Sequence, residues 1–146
     1  MIQARRSHGT HLLIDLWGAR HLEDADRIRE TMINAALRAG AKLLHVHLHK
    51  FEPHGGVTGV ALLAESHISI HTWPESSYAA LDVFMCGSAE PERTIPIIKA
   101  TFTPRQTIVL QAIRGTDGGG SSMIETASFA HCDGLRTGPT TAQARG

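Results

Sequence analysis

Residues 65–75 read Glu-Ser-His-Ile-Ser-Ile-His-Thr-Trp-Pro-Glu. A nucleophilic hydroxyl, two imidazoles and two carboxylates fall within eleven residues. A serine hydroxyl is a weak nucleophile until a base is near and its target is strained or polarised. The carbonyl nearest to Ser66 is that of Glu65. Attack by the Ser66 hydroxyl would turn the Glu65–Ser66 amide into an ester. A base could then remove the Ser66 α-proton and expel the Glu65 carboxylate, leaving dehydroalanine. Hydrolysis of its imine tautomer would leave a pyruvoyl group at the head of residues 66–146. Residue types alone leave open the plainer alternative, a structural serine in a strand.

The flanking pattern supplies the supports. Residues 11–17 are apolar and end at Gly18, which predicts a first, buried strand. Residues 23–39 predict a helix: Ile28, Met32, Ala36 and Ala39 recur at steps of three and four, and Gly40 supplies a left-handed stop. Residues 42–51 alternate, with Leu44, Val46 and Leu48 on one face and His45, His47 and His49 on the other. Residues 57–64 predict a strand that runs into 65–75 with no turn residues between. Strict alternation puts Ser66 and His71 on opposite faces, so if the two cooperate a bend or bulge is expected near Ser66. Residues 74–77 predict a turn and 78–86 another strand. Residues 89–100 predict a short helix, kinked or ended early by Pro96. Residues 106–113 predict a last strand. From Thr116 onward Gly, Ser, Thr and Ala dominate, and 116–146 is expected to be a flexible tail. The order implies an α+β fold, an antiparallel sheet with helices on one face.

Composition bounds the function. The 146 residues suit one domain, and the 42% apolar content is that of a soluble globular chain. Fourteen basic residues balance fourteen acidic ones, so no global field points to nucleic acid or an anionic membrane. No apolar run approaches a membrane span, and no apolar segment follows the basic N-terminus as in a secretory signal. Cys86 and Cys132 are therefore read as thiols in a cytoplasmic protein.

The motifs ESHISIHTWPE, YAALDVFMCG, GTHLLIDLWG and HKFEPHGGVTGV together closely resemble bacterial and archaeal S-adenosylmethionine decarboxylase proenzymes, from about Gly9 to Gly115. The resemblance implies a domain of 1–115 that cuts itself between Glu65 and Ser66 into 1–65 and 66–146. It implies that Ser66 becomes the pyruvoyl cofactor, with no metal. It gives His71 as the processing base, Cys86 as the proton donor in catalysis, and Thr58 as a processing residue where the family usually has serine. Phe51, Trp73 and Glu75 become candidates for substrate binding, with Phe51 favoured to stack on adenine. The implied reaction condenses the substrate amine with the pyruvoyl ketone as a Schiff base, whose conjugated carbonyl takes up the electrons left by carbon dioxide. The product would be the aminopropyl donor for spermidine synthesis. The resemblance also implies a two-layer αβ protomer whose homodimer is a four-layer αββα sandwich, with sites built from both chains. Ser76-Ser77 stands where the family commonly has Tyr-Gly.

Three other readings compete. A relative could decarboxylate arginine or ornithine by the same pyruvoyl chemistry. A metal-binding module could use His45, His47 and His49 with His11, His67 and His71, although histidines at i, i+2 and i+4 on a flat strand spread widely. An inactive partner subunit would keep the fold without self-cleavage, against which stand Ser66, His71 and Cys86.

Overall fold

The computed structural model describes residues 7–116 and the backbone of 124–129. Among the described residues, seven strands and two α-helices follow in the order β1 (Gly9–Trp17), α1 (Ala25–Arg38), β2 (Leu43–Lys50), β3 (Val57–Leu63), β4 (Ser66–Trp73), β5 (Tyr78–Cys86), α2 (Thr94–Phe102), β6 (Gln106–Arg114) and β7 (Ile124–Phe129). They form one antiparallel sheet in the order β2-β3-β4-β5-β1-β6-β7. Most of the expected tail, Cys132 included, lies outside the described residues; within it, β7 pairs its backbone with β6.

One face of the sheet builds the core. Leu12, Ile14 and Leu16 of β1, Ile68 and Ile70 of β4, and Leu81, Val83 and Met85 of β5 are buried with Ile28, Met32, Ala35 and Ala36 of α1 and Ile98 and Phe102 of α2. Their spacing of two on strands and three or four on α1 is what buries them together. The Asp24 carboxylate accepts the Arg27 backbone N–H and caps α1, which holds its acid below the usual carboxylate range. Pro96 does not kink α2. It sits in the first turn after Thr94, where a helix has no use for the missing N–H.

Two further expectations need correction. Residues 57–64 do not run on into 65–75: Ala64 and Glu65 form a two-residue corner, with Leu63 paired to Ser66. Glu65 adopts φ 58° at this corner, although neither residue is a usual turn former, and β4 then runs unbroken from Ser66 to Trp73, so no bend brings Ser66 and His71 together. Leu44 is not on the buried face with Val46 and Leu48, because the β2–β3 register shifts between Leu43 and His45 and leaves Leu44 exposed.

The β4–β5 connection carries a second left-handed residue. Ser77, exposed, has φ 49°, donates its N–H to the Pro74 carbonyl and accepts the Ala19 N–H. Both bonds use the backbone alone. Ser77→Gly is therefore expected to stabilise the fold by roughly 0.5–1 kcal/mol, the left-handed cost of a Cβ less the greater unfolded freedom of glycine. A higher urea midpoint at unchanged slope would register it.

Candidate active site

The outer face of the sheet, opposite the helices, carries the residues with chemistry. His67, Ser69, His71 and Trp73 alternate there on β4, beside Tyr78, Asp82, Phe84 and Cys86 of β5 and His11, Leu13, Asp15 and Trp17 of β1.

At one end, Ser66 opens β4 and Cys86 closes β5. The Cys86 backbone N–H donates to Ser66 Oγ at 3.2 Å, and the Cys86 thiol lies 3.4 Å from the same oxygen. That thiol also donates to the Glu65 carbonyl oxygen at 3.4 Å and lies 3.8 Å from a Glu65 carboxylate oxygen. The carbonyl that Ser66 would attack thus has an S–H donor on its oxygen. It belongs to a residue in the left-handed region, where a side chain costs energy. Donors placed where an oxyanion develops lower the barrier to acyl transfer, by about a hundredfold or more for a strong donor. The arrangement suits an attack of Ser66 Oγ on Glu65.

His71 is not at that end. It lies five residues along β4 from Ser66, roughly 16 Å at about 3.3 Å per residue. Its Nδ1 lies 3.0 Å from the hydroxyl of Thr58, its cross-strand partner. Trp73 is near, with ring centroids 6.2 Å apart. Phe51, half exposed just after β2, packs its ring against His49 with centroids at 4.6 Å. Glu75 is exposed in the short helical turn Pro74–Ser76 that follows Trp73. The expected site residues therefore fall into two groups: Glu65, Ser66 and Cys86 at one end, and Thr58, His71, Trp73, Phe51 and Glu75 at the other.

Two polar groupings on this face, one of three residues and one of two, lie outside the residues expected from the sequence. Asp82 accepts the Ser69 hydroxyl at 3.1 Å and faces His11 Nε2 at 3.1 Å. The Tyr78 hydroxyl donates to Asp15 at 2.6 Å. Burial, with the Asp15 bond adding to it, pushes the Tyr78 phenol up to about 12. The available signal was a lone carboxylate at an outward position of each apolar strand. As for metal, the β2 imidazoles are exposed along an edge strand, and among the described residues no three His, Cys, Asp or Glu stand close enough to hold an ion.

Residues 10–115 match the family described as S-adenosylmethionine decarboxylase. The S-adenosylmethionine decarboxylase proenzyme of Methanococcus maripaludis is 50% identical over 110 residues, 73% of this chain and 89% of that one. That of Thermomicrobium roseum is 40% identical over 111 residues, 75% and 96% of the two chains. The crystal structure of the adenosylmethionine decarboxylase from Aquifex aeolicus superposes with a TM-score of 0.68 at 36% identity, covering 80% of this chain and 98% of that one. At 18% identity and a TM-score of 0.54, covering 70% of this chain and 45% of that one, the decarboxylase from Trypanosoma brucei shares the fold.

Proposed function

The chain belongs to the S-adenosylmethionine decarboxylase family, and from that premise we propose that residues 1–115 form a self-processing domain in which Ser66 becomes the pyruvoyl group. The family's proenzymes carry a serine-derived pyruvoyl group, and the activity is carboxy-lyase action on S-adenosylmethionine. The observation that carries the assignment to Ser66 is the hairpin corner: Glu65 in a left-handed conformation, with Cys86 donating to both Ser66 Oγ and the Glu65 carbonyl.

The processing steps follow from these atoms. Ser66 Oγ attacks the Glu65 carbonyl carbon, and the Cys86 thiol donates to the oxygen as charge develops on it. The C–N bond breaks and the ester remains, with the Ser66 nitrogen freed as an amine. A base takes the Ser66 α-proton, and the Glu65 carboxylate leaves. Water hydrolyses the imine tautomer, and ammonia departs. The two fragments, 1–65 and 66–146, stay joined because β3 pairs with β4 and β1 with β5. The pyruvoyl carbonyl, once formed, supplies the electron sink for loss of carbon dioxide. Cys86, already against Ser66, holds the proton that the product carbon takes up.

The base is His71, supplied by a second copy of the chain. Its distance from Ser66 along β4 is too great for action within one protomer, and the outer face leaves Leu13, Trp17, Leu62 and Trp73 all more than 40% exposed. Two such faces packed about a two-fold axis form the four-layer sandwich. The end bearing Thr58, His71, Trp73, Phe51 and Glu75 then meets the end bearing Ser66 and Cys86 of the other copy. Phe51 and Trp73 offer aromatic faces to adenine, with Glu75 beside them. No described helix is long and apolar enough to cross a membrane. A catalytic thiol suits the reducing cytoplasm.

Release of carbon dioxide from carboxyl-labelled substrate tests the reading. S-adenosylmethionine is expected to turn over, and arginine and ornithine to remain untouched. Turnover of either amino acid, with S-adenosylmethionine inert, would overturn the substrate assignment.

A further inference from the structure

We propose that Tyr78 and Asp15 are positioning residues that hold the Trp73 ring in its substrate-binding orientation through a three-ring stack. This rests on the reading above that Trp73 faces the substrate.

Trp17, Tyr78 and Trp73 are direct cross-strand partners on β1, β5 and β4. Trp17 and Tyr78 stack with centroids at 4.3 Å and planes 28° apart; Tyr78 and Trp73 stack at 5.3 Å and 24°. The central ring is the one with a polar anchor, its hydroxyl donating to Asp15 at 2.6 Å. Stacking on both sides sets the plane of the Tyr78 ring but leaves its tip free to swing about χ1. The bond to Asp15 holds the hydroxyl oxygen at that tip, and so fixes where the ring lies, and Trp73 packs on it. With its pKa near 12, Tyr78 keeps the donated proton throughout the neutral range.

The backbone at this end is pinned independently. Ala19 N–H donates to the Ser77 carbonyl at 2.9 Å, and Arg105 N–H to the Trp17 carbonyl at 2.8 Å. Within one protomer the freedom left to Trp73, the last residue of β4, is therefore that of its side chain, and in the proposed dimer the stack lies on the face that meets the second copy. A ring already in its bound orientation loses less freedom when a ligand stacks on it, which raises affinity and leaves the bond-breaking step alone. The corner at Ser66 lies at the far end of the same strand.

The test is a double-mutant cycle on the processed enzyme with S-adenosylmethionine. Tyr78→Phe is expected to raise KM about fivefold, with kcat and the extent of self-cleavage within about twofold of the parent. Asp15→Ala should match it, and Asp15→Asn, which keeps an acceptor oxygen, should restore most of the affinity. Trp73→Ala should raise KM further, and adding Tyr78→Phe to it should change nothing more. Loss in kcat rather than KM would overturn the proposal, as would a Tyr78→Phe effect that persists undiminished without Trp73. If Trp73→Ala leaves KM unchanged, Trp73 is not a substrate residue, and the proposal falls with that reading.

Discussion

Ser66→Ala is expected to leave the chain in one piece and to reduce decarboxylation by more than about four orders of magnitude, to background, since both the cut and the cofactor depend on one oxygen atom. Without Oγ no ester forms, and no elimination can follow. The fold should survive. Ser66 is only partly buried, and its ladder partner Leu63 bonds through the backbone. The loss is the hydrogen bond from the Cys86 N–H and the 3.4 Å contact with the Cys86 thiol, together on the order of 1–2 kcal/mol. Processing and activity should therefore vanish while the far-ultraviolet spectrum stays close to that of the parent. A Ser66→Ala chain that still divides at the same bond would exclude Ser66 as the nucleophile.

The second large effect concerns the base. His71→Ala alone should slow self-cleavage by roughly a hundredfold or more, the usual loss on removing a positioned general base. Co-expressed with Ser66→Ala, it should recover. In a mixed pair, Ser66 of the His71→Ala chain meets the His71 of the Ser66→Ala chain, and that one site is complete. Only the His71→Ala chain can be cut in such a pair. Random pairing makes about half of the dimers mixed, so about half of those chains should divide. Differently tagged chains resolved on a denaturing gel give the answer. No cleavage in the mixture would contradict a site shared between copies, and rapid cleavage of His71→Ala alone would remove it as the base.

The placement of the expected site residues at the two ends of β4 is only partly legible in the sequence. The strand motifs, the amphipathic α1 and the alternation of Tyr78–Cys86 follow from periodicity, and they place Cys86 and Phe84 on one face and Val83 and Met85 on the other. The corner at Ala64–Glu65 has no turn signature. Its left-handed residue is imposed by the pairing of Leu63 with Ser66, which depends on the whole β3–β4 register. Alternation does assign Ser66 and His71 to opposite faces. Their distance follows only once β4 is seen to be straight from Ser66 to Trp73, which turns a question about a bend into one about a second copy. The Asp15–Tyr78 bond joins residues 63 positions apart in the chain and requires the β1–β5 register to be known.

Self-cleavage before Ser66, with the cofactor made at the new terminus, is read from an intact mass spectrum of the purified wild-type protein. Two fragments meeting between Glu65 and Ser66 are expected, the second lighter by one ammonia than a fragment headed by serine and reactive toward a carbonyl-trapping amine. A single uncut mass after prolonged incubation, or a cut at this bond that leaves an ordinary serine amino terminus, would contradict it.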